Sequence, residues 1–256
     1  MVMQATTERA LEYGASVLDQ ERFPDSTNEF LYRFQGFRDV DLKKGMELTF
    51  ELKGNGKIAP ILRLARPEDA EAITEIYKDV YKGTYPYKEC EDPREVAKMV
   101  QDDEIFWIVF VHPRNEEVIG CFTFVLDFPE KTGYVRGLML LDQYRKEVDV
   151  LKATIGSYIG MYTTFEGKIF KWYCENRSAH ASSQYALSLG GIRALGFYPN
   201  KDVFNGKIES DVLHVCYDEK VLTRHRRKDP PRIIKEALEC FLFSNARYSL
   251  GAVEIV

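Results

Sequence analysis

Cysteine and histidine are scarce in this chain and badly spaced for metal chemistry. The 256 residues include five cysteines, at positions 90, 121, 174, 216 and 240, and four histidines, at 112, 180, 214 and 225. No C-x-x-C pair occurs and no histidine stands at ligand spacing from another or from a cysteine, which argues against a zinc site, so no metal is expected. An odd cysteine count, with Cys121, Cys174 and Cys216 inside strand-like runs, reads as reduced core thiols rather than a disulfide framework. A basic excess is missing as well. Lys and Arg number 35 against 40 Asp and Glu, a net charge of −5, so a whole-protein field that recruits nucleic acid or anionic lipid is excluded and any such partner needs a local patch. Long apolar runs are also absent: Ile105–Val111 falls far short of the roughly 20 residues a membrane helix needs. The first residues, MVMQATTERALEYG, carry no basic-then-apolar leader, and a soluble, cytoplasmic chain with no membrane partner is expected.

What the chain does hold is apolar matter, 45% hydrophobic and 13% aromatic with 29% charged, enough for one large core with appendages. No fixed-period repeat or low-complexity tract interrupts it. Three zones are expected. Residues 1–58 hold a helix-like stretch (Leu11, Ala15, Leu18), a second around Asn28–Phe34, and the alternating segment Met46–Leu52 before the turn or linker Gly54-Asn55-Gly56. Residues 59–218 run strand, helix, helix, three strands, helix, strand, helix, strand. Pro67-Glu68-Asp69 begins the first helix, with Ile73, Ile76, Tyr77, Val80 and Tyr81 at helical spacing, and Asp92-Pro93-Arg94-Glu95 caps the second. Ile105–Val111 and Val118–Leu126 make a hairpin, Tyr134–Leu141 a third strand, and Leu151–Tyr162 a helix with one apolar face. Ile169–Cys174 is a strand, Ser178–Leu195 is helical in part, and Ser210–Tyr217 is the last strand. Residues 219–256 carry the basic run Arg224–Lys228 and a helix opening at Asp229-Pro230-Pro231.

Two stretches stand out within that order: Gly137-Leu-Met-Leu-Leu141-Asp142-Gln143-Tyr144-Arg145, and Trp172-Tyr-Cys-Glu-Asn176 followed by Arg193-Ala-Leu-Gly196-Phe197-Tyr-Pro199. Through them, residues 61–218 resemble the GNAT N-acetyltransferase superfamily. The first is similar to that family's fourth strand running into its pyrophosphate loop, the second to its fifth strand and the helix exit after it. The resemblance implies an α/β (α+β) fold with a mixed, mostly antiparallel central sheet flanked by helices, extended here by N- and C-terminal helical additions that cover the core or form a homodimer. It also implies acetyl-CoA, or another acyl-CoA, as co-substrate.

By that resemblance Met139, Leu140 and Leu141 offer main-chain groups to the pantetheine arm, Asn176 holds the arm from the other side of a split, and Arg145, Lys146, Glu147, Val148, Asp149 and Val150 seat the diphosphate. The physics of such a seat is a helix start with unpaired amides and a favourable dipole. This sequence departs from the family at two positions that are usually small, now Val148 and Val150, and β-branched side chains resist positive φ and crowd phosphate oxygens. Glu147 and Asp149 add charge of the wrong sign, and Asp149 reads equally as the N-cap of the following helix.

Direct acyl transfer needs a base for the attacking amine, donors for the oxyanion and an acid for the leaving thiolate. The fourth strand, Tyr134-Val-Arg136-Gly137, has no carboxylate to serve as base. Glu175 is a candidate base, directly or through water, or else a surface acid at a strand end. Tyr198 is a candidate acid for the thiolate, or ordinary packing. His180 and Gln184, four apart, share a helix face near the cleft, where His180 is a second candidate base and Gln184 a substrate contact, or the pair is a surface feature. Residues 206–217 are similar to the last strands of GNAT enzymes that acetylate amino-acid amines, β-lysine acetyltransferases among them. That implies a small-molecule or peptide amine as acceptor, with Glu209 and Asp211 as ammonium contacts; as bare chemistry they read equally as a hydrated turn.

The expected activity is therefore acyl-CoA-dependent transfer to a primary amine. Two other readings compete with it: a GNAT-shaped ligand-binding or regulatory protein whose seat has closed around Val148 and Val150, and an RNA-associated module using Arg224–Lys228. That basic strip has no interleaved aromatics for stacking bases, so nucleic acid is not expected as a partner.

Overall fold

The computed structural model describes residues 47–48, 57–58, 60–189 and 192–256. The helices expected around Leu11–Leu18 and Asn28–Phe34, and most of the segment 46–52, lie outside these residues; Glu47–Leu48 forms a short strand, β1. Alternation in β2 (Ile61–Leu64) buries Leu62 and Leu64. The Arg63 guanidinium then grips the Asp69 carboxylate at 2.6 and 2.8 Å while the Arg66 N–H donates to it at 2.7 Å. These bonds fix the tight turn at Pro67–Asp69 that launches α1 (Ala70–Tyr81). Ile73, Ile76 and Tyr77 form the buried stripe of α1, and Lys82 closes it in the left-handed conformation at φ 48°. Asp92 caps α2 (Pro93–Gln101) by accepting from the Arg94 N–H at 2.9 Å.

Strands β3 (Ile105–Val111), β4 (Val118–Asp127) and β5 (Thr132–Leu140) follow as an antiparallel meander. Their near-continuous apolar runs are explained by helices on both faces. On one face α1 and α2 pack Ile73, Tyr77 and Val96 against Trp107, Val109, Cys121 and Met139. The other face packs Ile108, Phe122, Val135 and Trp172 against Ile155, Tyr158 and Ile159 of α3 (Val150–Thr164). Helix α3 is more enclosed than a one-faced pattern predicts, with Ala153, Thr154, Ser157 and Met161 buried too. The hydroxyls of Thr154 and Ser157 are satisfied inside the helix, on the carbonyls of Val150 and Ala153 at 2.7 Å each.

Beyond α3 come β6 (Lys171–Arg177), α4 (Ala181–Leu189), β7 (Arg193–Phe204) and β8 (Lys207–Tyr217). The sheet order is β1-β2-β3-β4-β5-β6-β8-β7, antiparallel throughout except between β5 and β6. This is the mixed, mostly antiparallel sheet the sequence implied. One expectation is corrected here. The helical part of Ser178–Leu195 is Ala181–Leu189, and the segment Arg193–Phe197, expected as a helix exit, is strand. Asn205 and Gly206, at φ 50° and 71°, make the two-residue turn that joins β7 to β8.

In the tail, α5 (Glu219–His225) is capped by buried Asp218, and the basic run that follows is exposed. The helix expected from Asp229 instead begins at Leu238: Arg232–Ile233 (β9) pairs with Glu254–Ile255 (β10), and α6 spans Leu238–Tyr248. Consecutive prolines favour extended backbone at this entry, and the Pro231 carbonyl accepts from the Glu254 N–H at 2.9 Å. Tyr248 donates to the Val215 carbonyl at 2.8 Å, which ties the tail to β8.

Candidate functional site

Strands β5 and β6 pair in parallel at only three positions, Thr132–Lys171, Gly133–Trp172 and Tyr134–Tyr173. Past Tyr134 and Tyr173 they separate, and each keeps pairing only with its outer neighbour, β4 or β8. The wedge between them opens into a cleft of about 720 Å³. A β-bulge shapes one wall: Thr123 pairs with Arg136 and Cys121 with Met139, so Gly137 and Leu138 share the single partner Phe122. Gly137 takes φ 64°, and a Cβ there would run into the Tyr77 hydroxyl, so glycine is required both by the backbone and by the close approach of α1. Met139 and Leu140 line the cleft beyond the bulge with side chains turned into the core. Leu141 is not among the lining residues, and its N–H is donated to the Ile119 carbonyl at 2.9 Å.

At the far end of β5, Arg145 and Val150 line the cleft, together with Asp142, which pairs with Arg145 at 2.9 Å. The other residues expected in the diphosphate seat go elsewhere. Lys146 and Glu147 do not line the cleft; Glu147 faces His112 at 3.3 Å and Arg114 at 3.5 Å. Val148 is fully buried in the core and bridges to Ile58, and Asp149 is buried as well. The loop amides are largely committed within the protein. Arg145 N–H donates to Asp142 O, those of Glu147 and Val148 to Tyr144 O, and that of Asp149 to Ile58 O.

The rest of the cleft is walled by α1, the loop after it, and strands β6 to β8. Lys201 extends its ammonium among three carboxylates, Glu175 at 2.8 Å, Asp202 at 2.9 Å and Asp211 at 3.3 Å. Burial opposes the Lys201 charge, but the hydrogen bonds to Glu175 and Asp202 outweigh it and hold its pKa above the usual 10.5. Burial pushes the Asp211 carboxyl up despite Lys201. Tyr134 reaches Glu175 at 3.4 Å, and Arg136 lies over the Tyr87 ring at 4.5 Å. Arg177 forks onto Glu209 at 2.6 and 2.8 Å and stacks on Phe204 at 4.0 Å. His180 lines the cleft from just before α4; burial and then the Arg177 cation lower its pKa below 6.5, so the imidazole is neutral at pH 7. Asn176 also lines the cleft, with its amide at 3.2 Å from His214 Nδ1.

Of the residues singled out from sequence, the wedge thus gathers Met139, Leu140, Arg145, Val150, Glu175, Asn176, His180 and Asp211. Besides Leu141, Lys146, Glu147, Val148 and Asp149, three others stay outside it. Tyr198 sits 54% exposed on the edge strand β7, Gln184 donates to the Arg177 carbonyl at 3.1 Å, and Glu209 is consumed by Arg177. Sequence reasoning missed Tyr134, Arg136 and Lys201. A cation next to a bulge glycine, Arg136-Gly137, was the one available signal for Arg136; Lys201, after Pro199-Asn200, reads as turn. Among the described residues no group of three or more His, Cys, Asp or Glu is arranged to hold a metal ion, and no helix is long and apolar enough to cross a membrane.

No protein-family model and no curated protein matches the chain. Solved structures do. A ribosomal-protein-S5-alanine acetyltransferase from Vibrio fischeri superposes with a TM-score of 0.56 at 16% identity, covering 68% of this chain and 97% of that one. A spermidine N-acetyltransferase chimera from Vibrio cholerae and a human enzyme gives 0.52 at 15%, covering 64% and 98%. A ribosomal L7/L12 α-N-protein acetyltransferase in complex with coenzyme A gives 0.52 at 12%, covering 64% and 97%. The fold is that of the GNAT acyltransferases. At such identities the likeness concerns the fold alone.

Proposed function

We propose that the protein is an acyl-CoA-dependent N-acyltransferase, acetyl being the simplest group carried, that acts by direct transfer on a primary amine of a small molecule or peptide. The carrying observation is the parting of β5 and β6 after Tyr134 and Tyr173, which leaves two strand edges facing a cleft without each other as partners. An extended amide-bearing arm fits there as an added strand would, on the main chain of Met139 and Leu140 and beside Asn176. Arg145, at the mouth, is the cation for the diphosphate. His180, neutral at pH 7, takes the proton of the attacking amine, with Glu175 poised beside Lys201 and Tyr134 on the same wall.

Calorimetric titration with acetyl-CoA is the test. Binding in the micromolar range is expected, with about a tenfold loss in Arg145→Ala, the worth of one charge-assisted contact to phosphate. No heat with acetyl-CoA or CoA would end this reading. A second reading, a GNAT-fold protein that binds a ligand without transferring an acyl group, draws support from the loop whose amides serve Tyr144 and Ile58 instead of a phosphate. CoA binding with no acyl transfer to any amine would favour it.

A further inference from the structure

Arg136 is a charged side chain of the cleft that the transfer chemistry above does not use. Its Nε is buried without a hydrogen-bond partner, and no described residue forms an ion pair with the guanidinium. The ionisable groups that act on it most strongly are Tyr85, Tyr77, Cys90 and Tyr87. Burial pushes the Tyr77 and Tyr85 phenols up and the Cys90 thiol to about 11, so those three are neutral at pH 7 and leave the cation uncompensated. Arg136 is half-buried, and a partly desolvated cation that lines a cleft without a counter-charge is a seat for an anion from outside.

The register places that anion. Tyr134 and Tyr173 are the last β5–β6 pair, so Arg136 and Glu175 each stand two residues further on, on one face of the sheet and across the opening wedge. Glu175 is claimed by Lys201 at 2.8 Å, and Arg136 is left facing the gap. The diphosphate seat is not the source of the anion: Leu141, where the loop begins, lies roughly 15 Å along the strand at about 3.3 Å per residue.

We infer that the acceptor is an amino-carboxylate, its carboxylate forked on Arg136 and its ammonium turned toward the acidic wall of Glu175 and Asp211. This rests on the acyltransferase reading for the identity of the cleft's second occupant. A planar carboxylate matches the guanidinium fork, and as a monoanion it suffers less than a phosphate dianion from the nearby acids.

The probes are L-lysine and cadaverine, which differ by one carboxylate, with O-phosphoethanolamine as a third arm. Each is titrated calorimetrically into the full chain, with and without CoA. L-lysine is expected to bind at least about tenfold tighter than cadaverine, although an acidic cleft alone favours the diamine. Arg136→Met erases the preference, and Arg136→Lys keeps part of it. Equal or tighter binding of cadaverine, tighter binding of O-phosphoethanolamine, no binding of L-lysine, or a preference that survives Arg136→Met overturns the inference. The comparison in the unsubstituted protein decides it even if neither variant folds. A parallel CoA titration separates the two ideas: a lysine preference without CoA binding retains the anion seat and removes the acyltransferase, and the reverse result removes only the seat.

Discussion

Gly137 concentrates three demands in one residue: a left-handed φ, contact with the Tyr77 hydroxyl, and a place in the bulge that turns main chain toward the cleft. Alanine there meets both backbone strain and a clash against a buried helix. Gly137→Ala is expected to lose about 2–3 kcal/mol of unfolding free energy, the scale of a strained non-glycine conformation with displaced packing, as measured in urea. A loss below about 0.5 kcal/mol would mean the bulge adapts and does not define the wall. His180 supports a prediction in pH. A base works when unprotonated, and burial together with Arg177 holds its pKa below 6.5. The acid limb of kcat/KM is therefore expected to have its midpoint below pH 6.5. His180→Gln removes that limb and lowers kcat by roughly a hundredfold. A limb unaltered in the variant assigns the proton to another group, Glu175 first.

At the scale of elements, the entry to α1 shows how an ion pair sets an angle. Burial alone raises the Asp69 pKa, but the hydrogen bonds from Arg63 and the Arg66 N–H outweigh it, leaving the group below its ordinary 3.8. A depressed carboxylate contributes stability that is fully present above the unfolded value and fades as pH falls through the lower folded one. Unfolding free energy is thus expected to drop on acidification below about pH 4, and Asp69→Asn to cost on the order of 1–3 kcal/mol at pH 7 while flattening that drop. A full-sized acid transition in Asp69→Asn would assign it to other carboxylates.

Elements with strong periodicity are legible in the amino-acid order alone: Ile73, Ile76 and Tyr77 declare α1, and the runs of β3 and β4 declare a sheet covered on both faces. Strand β7 is not, because Gly196, Pro199 and Asn200 read as punctuation. They are tolerated since β7 is an edge strand that slips register between Tyr198 and Asp202. The Asn205-Gly206 turn is the hairpin signal that marks it. For the site, Glu175 and Asn176 follow from a strand end, whereas Arg136 and Lys201 acquire meaning only when β5, β6 and β7 converge. A loop motif points Val148 and Asp149 at the diphosphate, and the packing against Ile58 redirects them.

Across the whole molecule, the sheet is two leaves hinged on a short seam. One leaf is β1 to β5, the other β6 to β8, and between them run three residue pairs. The Trp172 ring lies so close to Gly133 across the seam that a Cβ there would strike it, so glycine lets the two leaves meet at their base. A ligand that pairs with both edges adds bonds across the seam and binds only the folded form. At a hundred times its Kd, CoA is expected to contribute about 2.7 kcal/mol. For a chain of this size that is a rise of roughly 5–10 °C in Tm. Hydrogen exchange locates the effect. Alternate amides of Gly137–Leu140 and of Cys174–Arg177 face the wedge and should slow on adding CoA, whereas those of β3, already paired on both sides with β2 and β4, should not change. Protection confined to Arg224–Lys228, or a Tm rise with no slowing at either wedge edge, would put CoA on another surface and leave the wedge without its assigned ligand.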